Sequence, residues 1–159
     1  MRPDIKVWNP ENPAQWNKTL AWTTVWLSTF SLTLGFCAWF LVPSLAPRLN
    51  EIGFSLTHSQ LYWLVAMVGL SAGTLRILWT FLPPILGTRI LVTLSTGLLL
   101  IPFFCWVYAV QHPDTPYWML IIFALLSGIG GGTFSGLMAS TNYFFPVSYT
   151  HLTLPTNSR

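Results

Sequence analysis

A single arginine, Arg76, lies deep inside a long apolar stretch at residues 60–84. A charge at the centre of a membrane helix costs about 2.5–3.5 kcal/mol on insertion scales, so such a residue normally faces a bundle interior or a water-filled cavity. The acidic residues of the chain all lie outside the apolar stretches: Asp4, Glu11, Glu51 and Asp114. No carboxylate within a helical turn or two can therefore neutralise Arg76, and a transported anion could supply the missing partner.

The composition is that of a membrane protein. The 159 residues are 53% hydrophobic and only 7% charged, whereas soluble domains carry roughly 25% charged residues. The net charge of +3 is small and scattered, which argues against a nucleic-acid surface. Cys37 and Cys105 lie in apolar stretches and are expected to be buried thiols. There is no Cys/His cluster and no nucleophile–base set, so the sequence predicts no metal site, no cofactor and no enzyme.

Apolar stretches of this length predict an all-α membrane protein with four transmembrane helices. About 20 apolar residues cross the ~30 Å hydrocarbon core of a bilayer. We expect a cytoplasmic N-terminal lead-in at residues 1–19 and a four-helix region at residues 20–146. The tail at residues 147–159 is polar and resembles translated adapter sequence, so it is predicted to be non-native, with a native disordered tail as the alternative. The four helices are expected at about residues 20–45, 60–82, 90–110 and 117–145.

The basic residues predict the orientation of these helices. With a cytoplasmic N-terminus, Arg48 is the only Lys or Arg in the two opposite loops. Cytoplasmic loops carry an excess of Lys and Arg, so both ends of the four-helix region are expected in the cytoplasm. The residues that would then face the cytoplasm are Arg2, Lys6, Lys18 and Arg89.

Glycines at a spacing of four occur in two of the apolar stretches. Small residues let helix backbones approach closely in membranes, so these positions are predicted to be helix-packing sites. The glycine-rich stretch that follows residue 127 lacks the spacing of a nucleotide-binding loop, and no βαβ unit surrounds it. The predicted packing glycines are Gly69 and Gly73 in the second stretch, and Gly128, Gly132 and Gly136 in the fourth.

Three segments carry a resemblance to a known family: GLSAGTLRI at residues 69–77, FLPPILGTR at 81–89 and GIGGGTFSGLMASTNYFFP at 128–146. In this order and spacing they resemble the nitrate/nitrite porter family of the major facilitator superfamily. The first residues, with the pattern VW-P-E from Val7 to Glu11, are also similar to those of bacterial members. The resemblance covers nearly all of residues 7–146.

The resemblance implies a fold of twelve helices in two halves, with the substrate site between them at mid-membrane. This chain would supply the first four helices, as an N-terminal fragment that would not transport alone. Arg76 matches the second-helix arginine that holds the anion, and Phe134 matches the fourth-helix aromatic beside it. The implied partners are nitrate or nitrite, the lipid bilayer and the remaining helices of the full-length transporter, in the bacterial inner membrane.

The chain departs from the family pattern at three places. Thr133 stands where asparagine is usual, and Ser-Thr-Asn-Tyr at residues 140–143 replaces the usual Asn-Ile-Ser. Pro84 and Ile85 occupy the turn in which the superfamily has an acidic residue. These differences leave the subfamily open.

The sequence leaves alternatives open for the transport mechanism and for the class of function. Proton relays in membranes usually need Asp or Glu within the spans, and their absence here favours nitrate/nitrite exchange over proton symport. A major facilitator for another small anion or an organic acid is one alternative. A non-transporting membrane scaffold or subunit is another, with Arg76 paired structurally or extended to the interface near Pro83, and with Phe134 in core packing.

Overall fold

The computed structural model of the chain describes residues 12 and 16–146, with residue 140 described for its backbone only. Most of the predicted lead-in and the whole predicted tail at residues 147–159 lie outside the described residues. All regular structure in the described part is helical. It comprises α1 (Lys18–Leu45), a 3-10 turn (Ala46–Arg48), α2 (Leu49–Ile52), α3 (His58–Leu98), α4 (Leu100–Gln111), α5 (Tyr117–Ser127) and α6 (Ile129–Asn142).

Local sequence explains where the long helices begin. The side chain of Asn17 accepts a hydrogen bond from the backbone N–H of Leu20 and caps α1. Thr57 and Gln60 form a reciprocal capping box at the start of α3, in which each side chain accepts from the other residue's backbone N–H. Such caps satisfy backbone donors that have no partner within the helix. The start of α3 is therefore fixed at His58, close to the predicted boundary.

Three helical segments of the described part are long and apolar enough to cross a membrane: Lys18–Ile52, His58–Gln111 and Tyr117–Ala139. The chain is thus an all-helical, multi-pass membrane protein. The predicted count of four separate spanning helices is not supported, because the second and third predicted helices form one continuous segment of 54 residues. A straight helix of that size would be about 80 Å long, far more than the ~30 Å hydrocarbon core.

The 54-residue segment folds back on itself within α3. The backbone leaves the helical region at Gly87, with φ 72° and ψ 156°, a conformation that glycine adopts readily. The indole N–H of Trp79 donates to Oγ of Ser95 at 3.0 Å, although the two residues are 16 positions apart. Along a straight helix they would lie about 24 Å apart. The chain therefore reverses at Gly87, after Pro83 and Pro84 and not at the prolines themselves.

The core lies between α1, α3, α4, α5 and α6 and is divided into two buried clusters. Leu64, Trp106 and Leu120 belong to the cluster at the end where α3 begins. Trp79, Leu91 and Leu137 belong to the cluster towards the reversal. The expectation that both cysteines are buried is wrong for Cys37, which is exposed on α1, while Cys105 is half-buried and both thiols are free.

The fourth predicted helix, formed by α5 and α6, packs at very short distance on α3. A Cβ added at Gly128 would lie 2.5 Å from Cβ of Ser71, and one at Gly132 would lie 2.7 Å from Cβ of Leu75. A Cβ at Gly136 would lie 2.9 Å from the carbonyl oxygen of Trp79. These glycines thus stand where α6 touches α3.

Gly69 and Gly73 are in a different environment. A Cβ at either position would meet nothing within 4 Å among the described residues. Both lie on α3, on a face that no described helix covers. Their predicted role in helix packing stays a prediction, and it would require a helix beyond the described part of the chain.

Candidate functional site

Arg76 lies in the middle of the first limb of α3. At 1.5 Å rise per residue it is about 27 Å from the start of the helix at His58 and about 16 Å from the reversal at Gly87. The fold thus places Arg76 well away from both ends of this apolar limb. A long side chain could reach an interface only from within a turn or two of a helix end.

The guanidinium of Arg76 is fixed between three helices. Its Nε–H donates to the carbonyl oxygen of Gly131 in α6, at 3.2 Å. Its Cζ lies 5.6 Å from the ring centroid of Trp39 in α1, a cation–π distance. The side chain therefore points to the glycine-rich helix, and it is exposed in the described chain. Its two terminal amino groups make no hydrogen bond to the described residues.

The backbone of Arg76 is tied to α6 as well. The hydroxyl of Ser135 donates to the carbonyl oxygen of Arg76 at 2.9 Å. Gly131 can come this close because it has no side chain, since a Cβ there would lie 2.7 Å from Cβ of Ala72 and 3.2 Å from the indole of Trp39. The same glycine therefore supplies the carbonyl oxygen for Arg76 and the space for Ala72 and the indole of Trp39.

Phe134 also lies on α6, three residues after Gly131. Its ring contacts Phe36 edge to face, with centroids 5.9 Å apart, and Phe36 in turn lies 5.9 Å from Trp39. Phe134 is 36% exposed and Phe36 is 39% exposed. Phe134 and Arg76, the two residues predicted to bind the anion, are thus linked through the two aromatic rings of α1.

Thr133, which stands where the family usually has asparagine, faces a different helix. Its side chain is buried, and its hydroxyl donates to the carbonyl oxygen of Gly130 at 2.9 Å. A Cβ at Gly35 of α1 would lie 3.2 Å from that hydroxyl oxygen. Thr133 therefore contributes to the contact of α6 with α1.

Sequence reasoning missed Trp39 and Phe36. Both belong to the motif FCAWF at residues 36–40, whose aromatic residues recur at i, i+3 and i+4 and so share one face of α1. That spacing was the available signal. It indicates a contact face of a helix, but it does not indicate which residue of another helix the face meets.

The described carboxylates lie far from Arg76. Glu51 is in α2 and Asp114 is in the turn between α4 and α5. The phenol of Tyr117 donates to the carbonyl oxygen of Gln60 at 3.2 Å, which places the start of α5 beside the start of α3. Both acids therefore lie at the bundle end about 27 Å from Arg76. Among the described residues the positive charge has no acidic partner, and no group of three or more His, Cys, Asp or Glu could hold a metal.

Sequence comparison finds relatives that cover most of the chain, although no family model matches it. It is 61% identical over 142 residues to the probable nitrate/nitrite antiporter NarK2 of Thermus thermophilus. This alignment covers 89% of this chain and 32% of that protein. It is 39% identical over 145 residues to the nitrate/nitrite transporter NarU of Escherichia coli K12, covering 89% of this chain and 31% of that protein. The chain thus spans about a third of the length of the curated relatives it matches.

Proposed function

Because this chain is homologous to bacterial nitrate/nitrite transporters over 89% of its length, we propose that the protein containing it transports nitrate and nitrite across the bacterial inner membrane. Arg76 would bind the anion, and Phe134 would lie beside the plane of the anion. The observation that carries this proposal is the guanidinium of Arg76, which is bonded at Nε to Gly131 and has both terminal amino groups without a described partner.

The guanidinium of Arg76 and a nitrate anion are chemically complementary. Nitrate is flat, trigonal and singly charged, and the planar guanidinium can donate two parallel N–H bonds to two of its oxygens. Arginine stays protonated in essentially any protein site, so the site needs no acid to keep it positive. The exposed side of Arg76 and Phe134 is where the remaining helices of the transporter would close the site. A phenyl ring there would shape the site without competing for hydrogen bonds.

We further propose that the described chain crosses the membrane four times. The 54-residue segment would cross once as the first limb of α3, reverse at Gly87, and return through its second limb and α4. The hydrogen bond from Trp79 to Ser95 across the reversal supports this path. The indole of Trp16 donates to the carbonyl oxygen of Phe144 at 3.0 Å, which joins the start of α1 to the end of α6.

We also propose that the N-terminus lies in the cytoplasm. Arg89 follows the reversal, at the bundle end where Lys18 begins α1, and Arg48 lies at the opposite end. The excess of basic residues at the first end favours a cytoplasmic location for it.

Cysteine labelling tests the four crossings. The protein to use is a chimera in which this chain replaces the matching segment of the Thermus thermophilus relative, without native cysteines. We expect Asp114→Cys to react with a membrane-impermeant maleimide in intact cells, and Thr88→Cys to react only after permeabilisation. If the 54-residue segment crossed once, residue 114 would be cytoplasmic, and labelling of Asp114→Cys only after permeabilisation would refute the proposed topology.

Exchange of nitrate for nitrite is the proposed transport mode. No Asp or Glu lies within the described spanning segments apart from Glu51, which is at a helix end. A carboxylate proton relay therefore has no candidate in this part of the protein. In exchange, the binding site returns across the membrane with the second anion bound, and this step requires no proton relay.

Proteoliposomes of the chimera test the function and the mode together. Vesicles loaded with nitrite should release it when nitrate is added outside, at a rate that a protonophore does not change. Chloride added in place of nitrate is the control and should release none. Nitrite release that requires an imposed pH gradient would overturn exchange, and release without preference for nitrate would overturn the proposed substrate.

A further inference from the structure

We propose that Trp39 is a positioning residue for Arg76, which holds the guanidinium so that both terminal amino groups point to the anion. This inference rests on the proposed function, since it assigns how the anion-binding arginine is kept in place. It concerns a residue of α1, whereas the arginine is on α3 and the phenylalanine beside the anion is on α6.

The guanidinium has two contacts that do not use its terminal amino groups. The Gly131 carbonyl oxygen accepts from Nε at 3.2 Å, which fixes one edge of the plane. The indole of Trp39 lies 5.6 Å from Cζ, which fixes one face of the plane. An arginine with an edge and a face occupied keeps its remaining edge, with two parallel N–H groups, for a ligand.

The indole is itself held in place by its surroundings. Trp39 is half-buried, and its ring centroid lies 5.3 Å from that of Phe40 and 5.9 Å from that of Phe36. On its other side it approaches the backbone of α6, since a Cβ at Gly131 would lie 3.2 Å and 3.3 Å from two indole carbons. The ring is therefore confined between the neighbouring aromatics of α1 and a position in α6 that only glycine can occupy at this distance.

Tryptophan also suits the electrostatics of an anion site. A carboxylate beside Arg76 would hold the guanidinium equally well, but it would cancel the charge and repel nitrate. The face of an indole attracts a cation through the ring quadrupole and carries no net charge. Arg76 can thus be held firmly while the site stays positive for the anion.

Substitutions at residue 39 in the chimera test this role. We expect Trp39→Leu to raise the KM for nitrate by about tenfold and Trp39→Phe to stay within about threefold of wild type, because phenylalanine keeps an aromatic face. The matched control is Trp26→Leu on the same helix, where the indole is 71% exposed, and its KM should equal that of wild type. Thermal stability without nitrate is measured for every variant.

A role in packing alone predicts a different pattern. In that case Trp39→Leu would lower thermal stability with an unchanged KM, or Trp39→Phe would raise KM as much as Trp39→Leu, and either result overturns the proposal. If Trp39→Leu does not accumulate in the membrane, tryptophans of increasing fluorination are incorporated at residue 39. KM should rise stepwise as the ring face loses its negative potential, and a KM independent of fluorination overturns the proposal.

Arg76→Lys separates this inference from the proposed function. Loss of nitrate uptake in Arg76→Lys together with a wild-type KM in Trp39→Leu would refute the positioning role alone. A wild-type KM for nitrate in Arg76→Lys would refute the proposed site, and with it the reason for positioning that side chain.

Discussion

Arg76→Lys in the chimera is expected to abolish nitrate uptake and to leave membrane insertion intact. Lysine keeps the charge but presents a compact ammonium instead of a planar fork, so it cannot make two parallel bonds to nitrate or donate from Nε to Gly131. Charge-assisted hydrogen bonds contribute about 1.5–3 kcal/mol each, so we expect kcat/KM for nitrate to fall about 100-fold or more. Initial rates of labelled nitrate uptake in proteoliposomes measure this.

Arg89→Lys is the matched control for that experiment. Arg89 also lies in α3 and is exposed, but it follows the reversal at Gly87. Its proposed role is that of a basic residue at the cytoplasmic interface, which lysine fulfils equally well. We therefore expect wild-type uptake for Arg89→Lys. Uptake by Arg76→Lys at the rate of this control, with equal amounts of protein in the membrane, would contradict the assignment of the site.

Gly130→Ala is expected to destabilise the packing of α6 on α1. A Cβ at this position would collide with the carbonyl oxygen of Gly35 and would lie 3.2 Å from the backbone nitrogen of Trp39. Both neighbours are backbone atoms, which cannot rotate aside as a side chain does. Overpacking of this kind costs about 1–3 kcal/mol. Because the chimera is about three times as long as this chain, we expect its Tm to fall by only about 1–3 °C.

Gly97→Ala is the control for the glycine experiment. A Cβ at Gly97 would meet nothing within 4 Å among the described residues. Since alanine favours a helix by about 1 kcal/mol over glycine, the Tm of Gly97→Ala should equal or exceed that of wild type. A Tm for Gly130→Ala at or above the wild-type value would show that the two helices are not packed as closely as described.

The sequence singles out Arg76 more clearly than the residues that surround it. A lone arginine in an apolar stretch stands out because charges are costly in membranes, so Arg76 could be found without a structure. The resemblance to nitrate/nitrite transporters is confirmed by relatives that are a probable nitrate/nitrite antiporter and nitrate/nitrite transporters. The membrane character followed from composition alone, since few soluble proteins have so little charge.

The contacts between helices could not be predicted in the same way. Periodicity shows which residues share a helix face but not which face of another helix they meet, so Trp39 and Gly131 were not connected to Arg76. The glycine pattern has the same weakness. Gly132 touches Leu75, whereas Gly73, at the same kind of spacing, has no described neighbour.

The sequence predicts the chain reversal in part, since Gly87 follows the two prolines and allows a tight turn. Two consecutive prolines suggested a helix end near residue 83, because proline removes a backbone donor and crowds the preceding turn. Helical structure nevertheless continues to Gly87, where a positive φ turns the chain. Because helical structure continues past the prolines and resumes directly after Gly87, the second and third predicted helices form one segment.

The most direct measurement is the dissociation constant of nitrate for the purified chimera, determined by isothermal titration for wild type and for Arg76→Lys at equal ionic strength. If the guanidinium of Arg76 binds the anion, nitrate should bind to the wild-type protein and bind at least about 100-fold more weakly to Arg76→Lys. Equal dissociation constants for the two proteins would contradict the central claim.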